Sequence, residues 1–421
     1  MAVHNSASPI SFFYTTMDTH FVLFVICIAS FSLNPSWATT YDVTKYGAIG
    51  NGSADDSQAF LQAWKAACGD KSGGTPTFTV PNGKTFFLNS LAFQGPCQSQ
   101  TIQVQILGSL VAPSQKSQWS NCQGNSWILF QGINSLNVNG NGLIDAKGES
   151  WWQGVTPTEE DDTNPAMKFV NCNGLQLCGL NIQNSPRNHI SIHNCNGAQV
   201  SALTINSPAN SPNTDGIDMY GSTHVSIASS NFQCGDDCIA INTGCSDVNI
   251  TGVSCGPGHG ISVGSLGRDG GFAQVEFIRV QQCNFTNSSN GARIKTWPGG
   301  TGYAKNIFFD HISVNAAIHP IVIDQHYCNV RSSCPEQKKA VQVSSVYFTN
   351  VHGTSGGKEA IKLDCSENVP CQDIHVQNVS LTSSTPGRSV YATCHNAKGQ
   401  FSSVPQASRD NSGLQFSGKT L

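Results

Sequence analysis

Charge is scarce in this 421-residue chain: Asp, Glu, Lys and Arg make up 11% of it, less than half the roughly 25% of ordinary soluble domains. Its 22 basic and 26 acidic residues give a net charge of −4, so the cationic excess that draws proteins to phosphate backbones is missing and no nucleic-acid partner is expected. No apolar run reaches the about 20 residues that span a bilayer, and no block of like charge marks a disordered tail. With 41 Gly and 18 Pro the chain stays well below the roughly 25–30% of low-complexity sequences. No CxxC knuckle has a matching second half, so no structural zinc is expected, and no cofactor is implied.

Residues 1–38 read as a secretory leader. Phe21 to Leu33 is a 13-residue apolar run, short for a membrane anchor and suited to a signal-peptide core. Ser36-Trp37-Ala38 offers small residues for cleavage after Ala38. No Lys or Arg precedes Lys45, so Met17 is an alternative start. Of the 17 Cys, 16 remain once Cys27 leaves with the leader, and such cysteine use fits an oxidising compartment. Asn51, Asn249, Asn284, Asn287 and Asn378 head glycosylation sequons. A secreted, extracellular or cell-wall protein with no membrane contact after cleavage, monomeric, is expected. The short loops of Cys328/Cys334 and Cys365/Cys371 suit local bridges.

From about residue 130 a pattern repeats: a polar turn, a short alternating β-branched stretch, another turn. Leu136, Leu175, Val200, Val225, Val248, Val275, Ile307, Val346 and Ile374 are taken as equivalent points. Period-2 strands recurring every 23 to 28 residues, with longer insertions and no amphipathic helices between them, read as coils of a right-handed parallel β-helix. A β-sandwich would show hairpin turns every 8–12 residues. The open end of a β-helix needs a cap. Gln58 to Cys68, with Asp55 or Asp56 as N-cap and Phe60, Leu61, Trp64, Ala67 and Cys68 on one face, forms a helix fit to plug it. The expectation is one all-β domain over 39–395, a short N-terminal capping helix, and an irregular tail over 396–421.

Four motifs carry chemistry: Asn213-Thr-Asp215, Gly235-Asp236-Asp237, Gly258-His259-Gly260 and Arg293-Ile-Lys295. Asp215 to Asp236 is 21 residues and Asp237 to His259 is 22, each about one coil, so these side chains stack on one face at about 4.8 Å per coil. Crowded acids push at least one carboxyl toward its protonated form. Glycoside hydrolysis uses such a set: one carboxyl protonates the leaving oxygen and an ionised one acts on the other face of the sugar. A separation near 6.5–9.5 Å leaves room for a water and gives inversion. Asp236 and Asp237 serve one site only through a bulge at Gly235 or at a strand end. Arg293 and Lys295 either neutralise the acids or hold a substrate carboxylate.

Together with KYGAIGNG, SPNTDGID, GDDCIAI, CGPGHGISVGSLG, NGARIKTW and DQHYC, these motifs resemble the polygalacturonases, pectin-hydrolysing glycosidases with a pectin-lyase-like β-helix, most closely the plant secreted branch. The resemblance covers most of the chain after the leader. It implies hydrolysis of α-1,4-galacturonosidic links in homogalacturonan without a metal. Asp236 would be the general acid, Asp215 and Asp237 would hold the water, and His259 would support them. Arg293, Lys295, Tyr327 and Asn213 would bind substrate. Cys238/Cys255 and Cys68/Cys97 would be bridges. Two departures stand out: Val404 to Ser408 lacks the family's C-terminal cysteine, leaving the partner of Cys394 open, and Gly50-Asn51-Gly52 replaces Gly-Asp-Gly. The competing readings are a Ca²⁺-dependent pectate lyase and a non-catalytic pectin-binding wall protein. Endo versus exo action is not legible.

Overall fold

Stacked coils build the computed structural model, which describes residues 39–119, 125–153, 165–328 and 334–402. The expected leader, residues 1–38, lies outside them. Among the described residues the strands form one sheet of 22 strands and one of 11. The 11-stranded sheet takes one strand per coil in chain order, from Leu91–Gln94 to Tyr391–His395. Neighbouring coils pair in parallel, as Ile190 with Ile217, Ile217 with Ile239, and Ile239 with Ile261. This is the expected β-helix.

Inward side chains pile into columns along its axis. One runs Phe78, Val104, Val138, Leu177, Val200, Ile227, Ile250, Val280, Phe309, Phe348 and Val376, all buried. A second, two residues earlier, links Val225, Val248, Ile278, Ile307, Val346 and Ile374. Two points of the sequence repeat are therefore off register. Val200 belongs to the first column, and Val275 pairs with Ala304 rather than Ile307. Val200 is two residues past its expected partner Ala198, and residues two apart face the same core; Val275 is three before Ile278, with Phe277 between them in the left-handed region at φ +58°.

Strands turn from one face of the coil to another at residues in the left-handed region. Ala202, Ser229, Gly252, Gln282, His311, Asn350 and Asn378 lie at φ +46 to +64°, each one position past the paired residues Ser201, Ala228, Thr251, Gln281, Asp310, Thr349 and Gln377. Gly and Asn enter this region readily and other residues at a cost of roughly 1–2 kcal/mol.

The Ser57–Cys68 helix caps the N-terminal end. Phe60 packs on Phe78 and Phe86 at 5.7 and 5.4 Å between ring centres, and Trp64 on Phe93 at 5.1 Å. Asp56 is the N-cap by position, yet its carboxylate accepts from Ile49 N and Gly50 N at 2.6 and 3.1 Å; Asp55 takes the helix amide, Ser57 N, at 3.0 Å. Leu61 is only partly buried.

At the other end the irregular tail expected from residue 396 is corrected: Ala397–Ser402 is a strand paired with Cys371–Ser383. The sequence hid it because its burial does not alternate: Ala397 is buried, Lys398, Gly399 and Gln400 are exposed, and Phe401 is half-buried. Residues 403–421 lie outside the described part. Cys68–Cys97, Cys238–Cys255, Cys328–Cys334 and Cys365–Cys371 form the four expected bridges. Cys172, Cys195, Cys234, Cys245 and Cys283 are buried free thiols and Cys394 is half-buried and free, filling coil corners as small apolar side chains.

Candidate active site

Asp215, Asp237 and His259 each sit two residues before a strand of the 11-stranded sheet, Ile217–Tyr220, Ile239–Ile241 and Ile261–Leu266. The paired strand starts align them one per coil. Asp236 and Asp237 thus lie at a strand end, which frees their side chains from strict alternation and lets both serve the site. Gly235 is required there by close approach: a Cβ would come within 1.8 Å of the Ser211 carbonyl oxygen. Gly260, at φ +88°, leaves a Cβ only 2.2 Å from Gly291 O.

The acids form a tight cluster. His259 Nδ1 lies 2.7 Å from Asp236 Oδ1, and the His259 amide donates to Asp236 O at 2.6 Å. Asp236 Oδ1 also accepts from Asp237 N at 2.9 Å. Asp237, fully buried, accepts on Oδ1 from Ser262 Oγ at 2.8 Å and from the Arg293 guanidinium. Lys295 Nζ stands 2.9 Å from Asp237 Oδ2, a charge contact outside hydrogen-bond angles. Arg293 and Lys295 project together because they are two apart in Asn290–Thr296. Lys295 Nζ lies 5.0 Å from the centre of the Tyr327 ring, which meets Trp297 edge-on at 5.5 Å.

Burial pushes the Asp215 carboxyl well above its ordinary range, and repulsion from Asp218, Asp236 and Asp237 adds to it. Burial acts the same way on Asp236, but His259, Lys295 and Arg293 outweigh it and hold that carboxyl below the usual range. Burial opposes the Lys295 ammonium, and Asp237 outweighs it and raises Lys295. Burial and like charge thus favour the neutral form of Asp215, while His259, Lys295 and Arg293 favour the ionised form of Asp236.

Asn213 is held by Arg187, whose Nη1 donates to its amide oxygen at 2.6 Å. Three supporting residues escape the motif reading. Ser262 bridges Arg293 Nε, at 2.8 Å, and Asp237; its outward position in the strand after Gly260 was the available signal. Arg187 is the second. His189, fully buried, contacts Asp215 O through Nδ1 and Ser207 Oγ through Nε2, both at 2.8 Å. A carbonyl only accepts, so Nδ1 carries the proton. Burial lowers His189 to about 4, against the Asp215 carbonyl bond, so it is a neutral prop.

The nearest donor atoms of Asp236, Asp237 and His259 lie within 4.8 Å of one another, as do those of Asp324, His326 and Asp364. Both groups already hold protein cations. Arg293 and Lys295 sit on Asp237, and Lys362 Nζ is 3.4 Å from Asp364.

The chain is 47% identical to a probable polygalacturonase of Arabidopsis thaliana over 364 residues, 85% of this chain and 77% of that protein. It is 41% identical to a polygalacturonase of Malus domestica over 373 residues, 87% and 78%. An endo-xylogalacturonan hydrolase from Aspergillus tubingensis shares the fold, with a TM-score of 0.70 at 24% identity over 86% of this chain and 96% of that one. The model of glycosyl hydrolases family 28 matches residues 68–405, a span that contains every acid and cation of the cluster. The chain belongs to glycosyl hydrolases family 28.

Proposed function

We propose that the protein hydrolyses the α-1,4-galacturonosidic links of homogalacturonan with inversion, as an extracellular cell-wall enzyme acting as a monomer. The observation that carries this is one outward patch holding three carboxyls, His259 and two cations. In this mechanism Asp236 protonates the leaving oxygen, Asp215 and Asp237 direct a water to the anomeric carbon, and His259 orients Asp236. Arg293 and Lys295 bind the uronate carboxylate, with Tyr327 and Asn213 along the cleft. The membrane-free reading is supported by one fact: among the described residues no helix is long and apolar enough to cross a membrane. Sequencing the N-terminus of the secreted protein should find Thr39.

A second assignment of roles is favoured by the raised Asp215 carboxyl: Asp215 as acid and Asp236 as base. Galacturonosyl fluoride, whose leaving group needs no protonation, separates the two. Asp236→Asn should lose about 10²–10⁴-fold on polygalacturonate and recover on the fluoride, while Asp215→Asn should stay slow on both. The opposite recovery assigns the acid to Asp215. Activity that survives EDTA with saturated products supports hydrolysis; ultraviolet-absorbing unsaturated products would make the protein a lyase, and no cleavage at all would leave a pectin-binding wall protein.

A further inference from the structure

Asn213 and Asp215 stand on the outer side of one turn because Thr214 between them points inward. Thr214 is fully buried; its hydroxyl donates to Ser211 O at 3.0 Å and accepts from Gly235 N at 2.9 Å, which ties the turn to the coil that carries Asp236 and Asp237. The coil before it braces both outer residues. His189 holds the Asp215 carbonyl through its own amide and through Nδ1, both at 2.8 Å. Two residues earlier, Arg187 Nη1 donates to the Asn213 amide oxygen at 2.6 Å, a charge-assisted bond of the stronger kind. Asn213 itself lies at φ +56°, in the left-handed region that Asn enters readily. A guanidinium carries donors only, so this bond settles which way the Asn213 carboxamide is turned. Its oxygen faces Arg187, and Nδ2 faces away. Left to itself the amide torsion of Asn is broad and roughly two-fold, and either end would be offered. Among the described residues Nδ2 meets no protein acceptor.

We infer that Arg187 is a positioning residue for the cleft: it holds the Asn213 amide oxygen inward, so that Asn213 offers substrate N–H donors alone and selects an oxygen acceptor of the sugar chain beside Asp215. The inference rests on the homogalacturonan reading and deepens it. Ring and carboxylate oxygens of a uronate chain accept and do not donate, so an amide turned the other way would set lone pair against lone pair. Arg187 acts through Asn213 and is not itself a ligand of the substrate.

The test is a double-mutant cycle on polygalacturonate, reading kcat/KM and Tm for wild type, Arg187→Met, Asn213→Gly and the two combined, with Arg187→Lys and Asn213→Asp beside them. Glycine is the removal variant at 213 because it takes φ +56° without strain. Asn213→Gly should lose about five-fold in kcat/KM and Arg187→Met about three-fold, the scale of one hydrogen bond to substrate. The combined variant should lose no more than Asn213→Gly alone, since Arg187 then has nothing to orient. Arg187→Lys, whose ammonium still donates to the amide oxygen, should recover part of the Arg187→Met loss. Asn213→Asp keeps the acceptor for Arg187 and removes the donor, so it should lose at least as much as Asn213→Gly. Losses that multiply in the combined variant overturn the inference: Arg187 then grips substrate directly or only holds the coil, and the second case shows as the same fall in Tm in both backgrounds. Wild-type kcat/KM in Arg187→Met or in Asn213→Asp overturns it as well. A wild-type protein that cleaves no polygalacturonate overturns the hydrolase reading itself, and this inference with it.

Discussion

Asp237 is the most constrained acid of the cluster, with Ser262, Arg293 and Lys295 all on one buried carboxylate. Two cations and a hydroxyl on one buried carboxylate fix its direction. In the proposed mechanism the same two cations also meet a substrate carboxylate, and the two duties are separable. Polygalacturonate should be cleaved at least ten-fold faster than fully methyl-esterified pectin, since the ester loses charge-assisted bonds of about 1.5–3 kcal/mol each. Lys295→Met should narrow that ratio by slowing the acid form. Measuring kcat/KM on both polymers with both proteins checks it, and an unchanged ratio would reduce Lys295 to charge balance.

Among the elements, the segment after strand His319–Asp324 depends on one histidine. His326 puts Nδ1 3.0 Å from Asp364 and Nε2 2.6 Å from Glu336, so both ring nitrogens face carboxylates and the imidazolium form is selected. The Asp364 bond, with Glu336 added and against burial, raises His326 to about 9. Burial pushes Glu336 up, but Ser366, His326 and Asn368 bring it down to about 2. A histidine raised in the fold binds its proton more tightly there than in the unfolded chain, so its stabilisation is complete below about 6.5 and lost as pH rises through about 9. His326→Gln should therefore lower Tm at pH 6 and differ little from wild type at pH 10. An equal Tm difference at both pH values would show that packing, not the ion pairs, holds the segment. Tyr327 follows His326 directly, so the same latch steadies the ring beside Lys295.

For the whole molecule, each coil buries its core only against its neighbours, so the ends limit stability. The N-terminal cap joins Phe60 and Trp64 to Phe78, Phe86, Phe93 and Phe130, and Trp64 Nε1 donates to Gln94 O at 3.1 Å. Trp64→Ala should cost about 3–5 kcal/mol, read by denaturant unfolding of the chain from Thr39. A loss under 1 kcal/mol would mean that the cap is dispensable.

Much of this was open to the amino-acid order alone. Alternating apolar residues at coil-length intervals determined the β-helix, because each inward side chain must find another one coil away. The offset of 22 residues from Asp237 to His259 determined that they share a face. The apolar face from Phe60 to Cys68 determined the cap. Register was decided by the tertiary structure: Val200 and Val275 look like their neighbours in sequence and differ only in what they stack on. So were the left-handed corners at Ala202, Ser229 and Gln282, residue types with no local preference for that backbone, held there by coils on either side. The supporting contacts of His189, Ser262 and Arg187, and the lean of the proton toward Asp215, arise from burial and from charges brought together across coils, and such fields exist only once the chain is wound.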